Sequence, residues 1–278
     1  MLLNQSLHRA TRSLAWRFGR YFYMRGRGDV GNTPQSNGEY ALQGRLLGLR
    51  TAEPRVWMDV GTNIGEWTEE AVLQASRLGI RLDVHAFEPV DGTRELARRR
   101  LGKFENVALH ALALSSTDGE SIVHVSEVGA GTNSLVREPG RELSSQRTLL
   151  ATLDGFLEQR GIERVQFVKC DTEGHDLAVL QGAAKSLSRG AIDVFQFEYN
   201  HRWVFSRSFL KDVFDVAESM PYTVGRLCGD GVELVPKWHP ELERFFECNW
   251  VLVRNPVITQ IGAFEGQFTR SNVYERTR

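Results

Sequence analysis

The segment that most constrains the fold is an apolar run that ends in an acid and two glycines four residues apart. Residues 55–60 are mostly apolar, as in a strand buried in a parallel sheet. Gly61 and Gly65 follow, where a chain that turns tightly against a ligand has no room for side chains. Residues 66–78 then have the apolar spacing of a helix. A second apolar run ends at Glu88, so the segment predicts a strand–helix–strand cradle for a nucleotide-type cofactor, with this acid on a ribose diol.

The spacing of the glycines separates two classes of cofactor. The dinucleotide fingerprint is G-x-G-x-x-G, whereas this chain has D-x-G-x-N-x-G, with Asn63 in place of the middle glycine. The carboxylate of Asp59 would repel a pyrophosphate but attract the ammonium or sulfonium group of S-adenosylmethionine. We therefore favour a methyl donor over a nicotinamide cofactor. The residues expected to bind it are Asp59, Gly61, Thr62, Asn63, Gly65, Glu88 and Pro89, with free N–H groups at the start of the following helix facing the ligand.

Several motifs in succession resemble those of the FkbM-type methyltransferases. They are D-V-G-T-N-I-G at residues 59–65, A-F-E-P at 86–89, and V-K-C-D-T-E-G-H-D at 168–176 with V-L-Q-G-A at 179–183. The resemblance covers about residues 55 to 254, and the K-x-D-x-E-G block is its most specific part. It implies a class I S-adenosylmethionine-dependent fold and methyl transfer to a hydroxyl of a sugar, a glycolipid or a secondary metabolite. Thr62 and Asp176 depart conservatively from the family pattern, which more often has Ala and Glu there.

The periodicity along the chain predicts an α/β fold. We expect a doubly wound, mostly parallel seven-stranded sheet of the Rossmann-like, class I methyltransferase kind, with an N-terminal helical arm and a C-terminal β-hairpin. Strands are predicted at residues 106–112, 121–125, 164–170, 192–197, 222–227, 232–235 and 249–254, helices at 90–103 and 176–188, and a long loop at 126–147. The chain divides into a basic arm and flexible loop or lid (1–40), a methyltransferase domain (41–254) and a loosely packed polar tail (255–278).

The residues expected to do chemistry follow the predicted fourth and fifth strands. Open α/β sheets bind ligands at the C-terminal ends of their strands, so Asp171 would contact the donor and face the same crevice as the glycine turn. Methylation of an alcohol also requires a base that removes the hydroxyl proton. We predict a carboxylate base, either Asp171 or Glu198, with His201 as the alternative because unperturbed histidine side chains exchange protons near neutral pH.

Polar residues around the same strand ends are candidates for binding the acceptor. They are Lys169, Glu173, His175, Asn133 and Ser134. Lys169 shares a strand face with Asp171, so it would pair with an acid or, less favourably, lose its own proton and act as a base. The set Asp171, Glu173, His175 and Asp176 also suggests a cation site. Because these side chains would spread over different faces of a strand-to-helix turn, we predict no metal.

Charge and cysteine content narrow the partners and the compartment. The chain has 34 basic and 35 acidic residues, which provide no overall field for nucleic acid, and we predict no nucleic-acid partner. Its three cysteines form no C-x-x-C pair, which is typical of a reducing compartment and favours a cytoplasmic protein. The expected partner is a small-molecule or glycan acceptor. The sequence does not predict the oligomeric state.

The first forty residues combine arginines with aromatic side chains. The arginines are Arg9, Arg12, Arg17, Arg20, Arg25 and Arg27, and the first acid is Asp29. Such an arm could lie on an anionic membrane surface, although we favour an accessory helix that covers the sheet edge or the cleft, because its apolar positions are not confined to one face. A transit peptide has a similar composition.

Three classes of function are compatible with the sequence. An O-methyltransferase is favoured. An NAD-dependent oxidoreductase is disfavoured by the missing glycine of the dinucleotide fingerprint. A non-catalytic cofactor-binding partner in glycan assembly is the third class. It would bind the methyl donor as an O-methyltransferase does but would not transfer the methyl group.

Overall fold

Alternating apolar and amphipathic segments become the strands and helices of the computed structural model, which describes residues 2–29, 31–49 and 54–277, and side chains from residue 11 onward. The α-helices are α1 (Leu2–Gly26), α2 (Glu39–Gly48), α3 (Glu66–Arg77), α4 (Asp91–Leu101), α5 (Leu153–Arg160), α6 (Asp176–Gln181), α7 (Ala184–Ser188) and α8 (Leu210–Ala217). The strands are β1 (Arg55–Val60), β2 (Leu82–Phe87), β3 (Val107–His110), β4 (Ala113–Leu114), β5 (Gly119–Val125), β6 (Ser144–Ala151), β7 (Val165–Cys170), β8 (Ile192–Tyr199), β9 (Tyr222–Cys228), β10 (Gly231–Leu234), β11 (Cys248–Arg254), β12 (Ala263–Phe268) and β13 (Tyr274–Arg276). Short 3₁₀ helices occupy His201–Val204, Pro240–Leu242 and Asn255–Gln260.

One large mixed sheet organises the molecule. Its strand order is β13-β12-β10-β9-β11-β8-β7-β1-β2-β3, and the strands from β8 to β3 run parallel. β11 lies antiparallel between β8 and β9. The α/β, Rossmann-like character is as predicted, but the prediction of a seven-stranded, mostly parallel sheet is wrong, because the sheet has ten strands and is mixed. A second sheet contains β4, β6 and β5.

Helices cover both faces of the large sheet, as in a doubly wound fold. Trp57 packs into one hydrophobic core and its neighbour Met58 into the other, because successive strand residues point to opposite faces. The alternation continues in β7, where Phe167 and Val168 enter different cores. Burial on both faces explains why the central strands are almost continuously apolar.

The helix that follows β1 shows how the sequence determines a local element. α3 has acids in its first turn and Arg77 in its last, which suits the helix dipole. Trp67, Ala71, Val72 and Ala75 are buried and share one face. This face packs α3 on the sheet and thereby fixes the turn between β1 and the helix.

Two predicted elements differ in their bounds. The predicted loop at 126–147 is shorter, because β6 begins at Ser144 and pairs with β5. All residues of β6 except Thr148 are exposed or half-buried, which weakens the apolar signal of the strand. The predicted helix at 176–188 is two helices, α6 and α7, and Asp154 accepts hydrogen bonds from the N–H groups that begin the second, at Lys185 and Ser186.

The predicted loosely packed tail from residue 255 is also wrong. β12 pairs in parallel with β10, β13 pairs with β12 as the edge strand, and Ile261 before β12 is fully buried. Most residues of β12 are half-buried or exposed, which explains why the segment lacks a clear apolar period. Within the described residues, no helix is both long and apolar enough to cross a bilayer.

Replacing Ile261 with alanine tests this packing. We expect the free energy of unfolding to fall by about 2 kcal/mol, the low end for a buried aliphatic side chain, because the residue lies near the sheet edge. Ile122→Ala is the matched control, since Ile122 is 48% exposed and should change stability by less than about 0.5 kcal/mol. Urea unfolding followed by circular dichroism measures both. Equal effects of the two substitutions would contradict a packed C-terminal edge.

Candidate functional site

A cavity opens at the C-terminal ends of β1, β2 and β7. Residues from these strand ends meet there because neighbouring parallel strands end on the same edge of the sheet. Most of the predicted site residues line the cavity: Gly61, Thr62, Asn63, Glu88, Pro89, Asn133, Ser134, Lys169, Asp171, Glu173 and His175. Four others do not belong to its lining: Asp59, Gly65, Glu198 and His201. The fold thus brings segments that are far apart in the chain together in one site.

The turn after β1 depends on two glycines for different reasons. Gly61 has a φ of +80°, and a Cβ there would lie 1.9 Å from the carbonyl oxygen of Asp171. The missing side chain therefore lets the ends of β1 and β7 approach each other. Gly65 has a φ of +87°, and its Cβ would meet the side chain of Leu101 at 2.9 Å. Gly65 is thus required for packing against α4, and the expectation that it contacts the donor is not supported by its position.

The backbone N–H groups of this turn donate within the protein. Those of Gly61 and Thr62 donate to the carbonyl oxygen of Phe87 at 3.1 and 3.0 Å, and that of Asn63 donates to Glu88 Oε2 at 3.0 Å. These three N–H groups are therefore not free to face a ligand. α3 also begins with acids, including Glu66. Neither feature suits a phosphate, which separates this turn from a dinucleotide cradle.

Glu88 is held with its carboxylate at the cavity wall. Its Oε1 accepts the N–H of Val90 at 2.9 Å, and its Oε2 accepts that of Asn63. Burial raises the pKa of Glu88 to about 7. A carboxylate has about four lone-pair sites, so both oxygens can still accept hydrogen bonds from a diol. The buried Oδ1 of Asn63 has no partner among the described residues, which fits a donor group on a ligand.

The wall beside Glu88 is apolar. Phe87, Val90, Leu114, Val123 and Leu135 line it. A flat aromatic base packs well against such side chains, while the neighbouring carboxylate binds hydroxyls. This half of the cavity therefore fits the adenosine part of an S-adenosyl compound.

A buried lysine connects the acids at the strand ends. Lys169 Nζ lies 3.2 Å from Asp171 Oδ2 and 3.7 Å from Asp59 Oδ1. Burial alone would lower the pKa of Lys169, but the two carboxylates raise it above its ordinary value. Lys169 therefore keeps its proton at neutral pH, against the alternative that it acts as a base. Asp59 lies fully buried behind the cavity wall and accepts a hydrogen bond from Thr68 Oγ1 at 2.6 Å.

Three carboxylates converge next to this lysine. Oxygens of Asp171, Glu173 and Glu198 all lie within 4.8 Å of one another. Burial raises the pKa of Glu173 to about 8, and burial together with the charge of Asp171 raises the pKa of Glu198 well above its usual range. Oxygen ligands at this spacing can in principle hold a divalent cation. The absence of a metal therefore stays a prediction.

Two of the carboxylates have firm partners in the protein. Glu173 Oε2 accepts hydrogen bonds from Arg202 at 2.6 Å and from Asn200 at 3.2 Å. Glu198 lies inside β8 and not after it, and it accepts bonds from Asn200 at 2.6 Å and from Asn32 at 2.9 Å. Asp171 is the most exposed member, with 35% of its side chain accessible. Among the three, it is therefore the one best placed to meet a substrate.

The two histidines have different positions. His175 lines the cavity, its Nε2 lies 3.0 Å from Ser115 Oγ, and burial lowers its pKa to about 4. It is therefore neutral at pH 7. His201 is exposed and begins a 3₁₀ helix outside the lining. The position of His201 does not support its prediction as the alternative base.

The loop after β5 forms one side of the cavity and is tied down by its own polar groups. Asn133 Oδ1 accepts the N–H of Ser126 at 3.0 Å. Ser134 Oγ donates to the carbonyl oxygens of Thr172 and Glu173, at 3.1 and 2.9 Å. Both predicted residues thus border the site, and Ser134 joins the loop to the segment that carries the acids.

Sequence reasoning missed the contribution of residues 32–40. Asn32, Pro34, Glu39 and Tyr40 line the cavity, although the segment up to Gly38 was predicted to be a flexible loop or lid. Glu39 is buried and accepts hydrogen bonds from Asn37 at 2.7 Å and, through its other oxygen, from Gln196 at 3.0 Å. Trp67, at the start of α3, also lines the cavity. The available sequence signal for this contribution was the pair Asn32 and Asn37 before α2, and these asparagines are equally compatible with an ordinary loop.

One family model and several solved structures resemble the chain. The family model described as the methyltransferase FkbM domain matches residues 59–224. Among solved structures, the METTL16 MTase domain has a TM-score of 0.44 and 13% identity, covering 81% of this chain and 69% of that chain. Precorrin-6y C5,15-methyltransferase from Geobacter metallireducens GS-15 has a TM-score of 0.42 and 14% identity, covering 78% and 87%. TrmK of M. capricolum, in complex with S-adenosyl-homocysteine, has a TM-score of 0.39 and 10% identity, covering 77% and 67%. No curated protein has a significant sequence match to the chain.

Proposed function

Since this chain belongs to the FkbM methyltransferase family, whose methyl donor is S-adenosylmethionine, we propose that it methylates a hydroxyl oxygen of a sugar, a glycolipid or a secondary metabolite. The observation that carries the proposal is the position of Asp171. Its carboxylate lines the cavity at the end of β7, and its carbonyl oxygen abuts the Gly61 turn. A carboxylate next to the donor cradle is suited to remove a hydroxyl proton.

The donor half of the site comprises the glycine turn, Glu88 and the apolar wall. When bound, S-adenosylmethionine supplies a methyl group that a positively charged sulfur already activates. Glu88 would hold the ribose hydroxyls, and the side chains of Phe87 and Val90 would pack on the adenine. Asn63 offers its free Oδ1 to an N–H or O–H of the donor. The protein's main task is then to hold acceptor and donor in line.

Asp171 serves as the base in this proposal. The Lys169 ammonium, 3.2 Å from its Oδ2, orients the carboxylate while the rest of the side chain faces the cavity. Glu198 is a positioning residue, because Asn32 and Asn200 engage both of its oxygens and it does not line the cavity. The sequence left the choice of base open between Asp171 and Glu198, and the proposal assigns these two carboxylates different functions.

The far half of the cavity supports a hydroxyl-rich acceptor. Asn32, Glu39, Glu173, His175 and Ser134 line it. Carboxylate, amide and imidazole groups offer both donors and acceptors to hydroxyls. A polar wall of this kind would favour a polyhydroxylated acceptor over an apolar one, because an apolar ligand would displace water from these groups without offering hydrogen bonds in return.

Transfer of tritiated methyl groups tests the function. The protein is incubated with S-adenosyl-[methyl-³H]methionine and, separately, with nucleotide sugars, a glycolipid extract of the native host and transfer RNA. We expect label in a carbohydrate or lipid product whose NMR spectrum contains a new methoxy signal. Label confined to RNA would contradict the proposed acceptor class, and label on a nitrogen would contradict O-methylation. Tight binding of S-adenosylhomocysteine without any transfer would favour the non-catalytic partner, and binding of NAD alone would favour an oxidoreductase.

The raised pKa of Glu88 predicts a pH dependence of donor binding. The ionised carboxylate accepts both hydroxyls of a diol, and its pKa of about 7 means that protonation competes below that pH. The affinity for S-adenosylhomocysteine should therefore rise by about tenfold from pH 6 to pH 8. Calorimetry of the wild type and Glu88→Gln measures this, and the variant should bind weakly with a flat profile.

Glu173→Gln is the matched control for this titration, since Glu173 also titrates with a raised pKa, of about 8, but lies in the acceptor half. It should keep the slope of the wild type. A flat wild-type profile, or a slope that disappears in Glu173→Gln and persists in Glu88→Gln, would contradict the assignment.

A further inference from the structure

Helix α1 presents an apolar row on its outer side. Leu14, Phe18 and Phe22 follow one another at intervals of four residues and therefore share one face of the helix. Their exposed fractions are 51%, 61% and 67%, and Tyr21 beside them is also largely exposed. Exposed apolar side chains that are scattered singly are ordinary, but a continuous row is typical of an interaction site.

The opposite side of α1 is attached to the body of the protein. The Arg20 guanidinium lies 5.0 Å from the ring centroid of Phe246. Tyr23 donates a hydrogen bond to Glu241 at 3.3 Å, and Arg244 lies over its ring at 5.4 Å. Phe18 and Phe22 are each two residues away from Arg20, which places them on the other side of the helix. The apolar row thus faces away from the rest of the chain.

The charge of this segment has one sign. Residues 1–28 contain six arginines and no acid, so all 35 acidic residues of the chain lie after position 28. Arg17 and Arg25 are exposed in the same helical turns as the apolar row. The chain as a whole has a net charge of −1, so the positive charge is concentrated at this helix.

We propose that the outer face of α1 docks on an anionic lipid bilayer and lies in the plane of its interface. Leu14, Phe18 and Phe22 would enter the boundary between headgroups and acyl chains, while Arg17 and Arg25 contact lipid phosphates. An anionic bilayer is the partner we infer because its negative charge complements the positive charge of this helix. A second copy would bring another helix of the same charge against the first, which is unfavourable. The proposal does not depend on the identity of the methyl acceptor.

Co-sedimentation with vesicles tests the docking surface. The full chain, loaded with S-adenosylhomocysteine, is mixed with vesicles of phosphatidylcholine alone or of phosphatidylcholine and phosphatidylglycerol at about three to one. We expect binding to the anionic vesicles that is at least about tenfold tighter than to the neutral ones and weakens as salt increases. The triple variant Leu14→Ser, Phe18→Ser, Phe22→Ser should lose at least about tenfold in affinity, as should Arg17→Glu with Arg25→Glu.

A matched triple variant replaces similarly exposed aliphatic residues elsewhere: Leu78→Ser, Leu149→Ser and Ile122→Ser. It should sediment like the wild type, and all variants should keep their affinity for S-adenosylhomocysteine within about twofold, which shows that they fold. Wild-type protein that stays in the supernatant with anionic vesicles would overturn the proposal. Equal losses of vesicle affinity in the two triple variants would also overturn it. The same holds if the protein does not bind vesicles but self-associates in a way that the first triple variant abolishes, or binds single-stranded RNA instead.

Discussion

Asp171→Asn is expected to lower kcat by about 10²- to 10⁴-fold while the affinity for S-adenosylhomocysteine changes by less than about threefold. The substitution keeps the shape of the side chain but removes its capacity to take a proton from the acceptor. Donor affinity should persist because the glycine turn, Glu88 and the apolar wall are unchanged. Initial rates with tritiated S-adenosylmethionine, together with calorimetry, separate the two quantities.

Two further variants make this result specific to Asp171. Glu105→Gln removes an exposed carboxylate elsewhere and should leave kcat unchanged. Glu198→Gln changes a residue behind the cavity wall, so we expect a loss of less than about tenfold, mainly through displacement of Asn32 and Asn200. Near-normal turnover of Asp171→Asn, or a larger loss in Glu198→Gln, would transfer the base to another group.

Gly61→Ala is expected to lower the free energy of unfolding by about 2 to 5 kcal/mol and to weaken S-adenosylhomocysteine binding by about tenfold. The new Cβ would lie 1.9 Å from the carbonyl oxygen of Asp171, which is backbone and has no rotamer with which to yield. The ends of β1 and β7 must therefore separate. That movement opens the cavity where the proposed donor and base meet. Denaturant unfolding and calorimetry measure the two effects.

Gly79→Ala isolates the effect of the contact from that of backbone conformation. Gly79 also has a positive φ, of +67°, but a Cβ there would have no atom within 4 Å. Its substitution should therefore lower the free energy of unfolding by about 1 kcal/mol, the cost of the left-handed conformation alone, and leave donor binding unchanged. Similar losses in both variants would show that close approach of the strands is not what Gly61 provides.

The donor half of the site could be predicted from the sequence because its signals are local. The turn after β1 contains Gly61 and Asn63, and Glu88 ends the next strand along the chain. Strand ends that are neighbours in a parallel sheet need no further information to be placed together. What the sequence did not reveal is how the N–H groups of the turn are used, since that depends on the Phe87 carbonyl from the adjacent strand.

The proposed acceptor half was harder to predict because its contacts join distant segments. Asn32 reaches Glu198 across 166 positions. Hydrogen bonds between residues this far apart leave no periodic pattern, so residues 32–40 resembled a loop. His201 was misleading for a related reason: β8 continues through Tyr199, which places Glu198 within the strand and the histidine outside the cavity lining.

The number of strands was underestimated at the edge of the sheet that the C-terminal residues form. β13 is the edge strand and β12 lies next to it; both have mostly half-buried or exposed residues and lack the apolar alternation that indicates a strand. The methyltransferase fold was therefore predictable from the apolar centre of the sheet, whereas its full width was not.

The position of β11 has a consequence for the order in which the protein is made. This strand lies between β8 and β9, and its Asn249 bonds to Gln196 and Glu39, each at 3.1 Å. A ribosome must therefore deliver residues near position 250 before this buried hydrogen-bond network, of which Glu39 lines the cavity, is complete. The segment that matches the family spans residues 59–224. A polypeptide restricted to it would contain the glycine turn and the acids at the strand ends, but it would lack Glu39 and Asn249. The buried hydrogen-bond network of Glu39, Gln196 and Asn249 thus forms late in synthesis, once segments on both sides of the family match have been made.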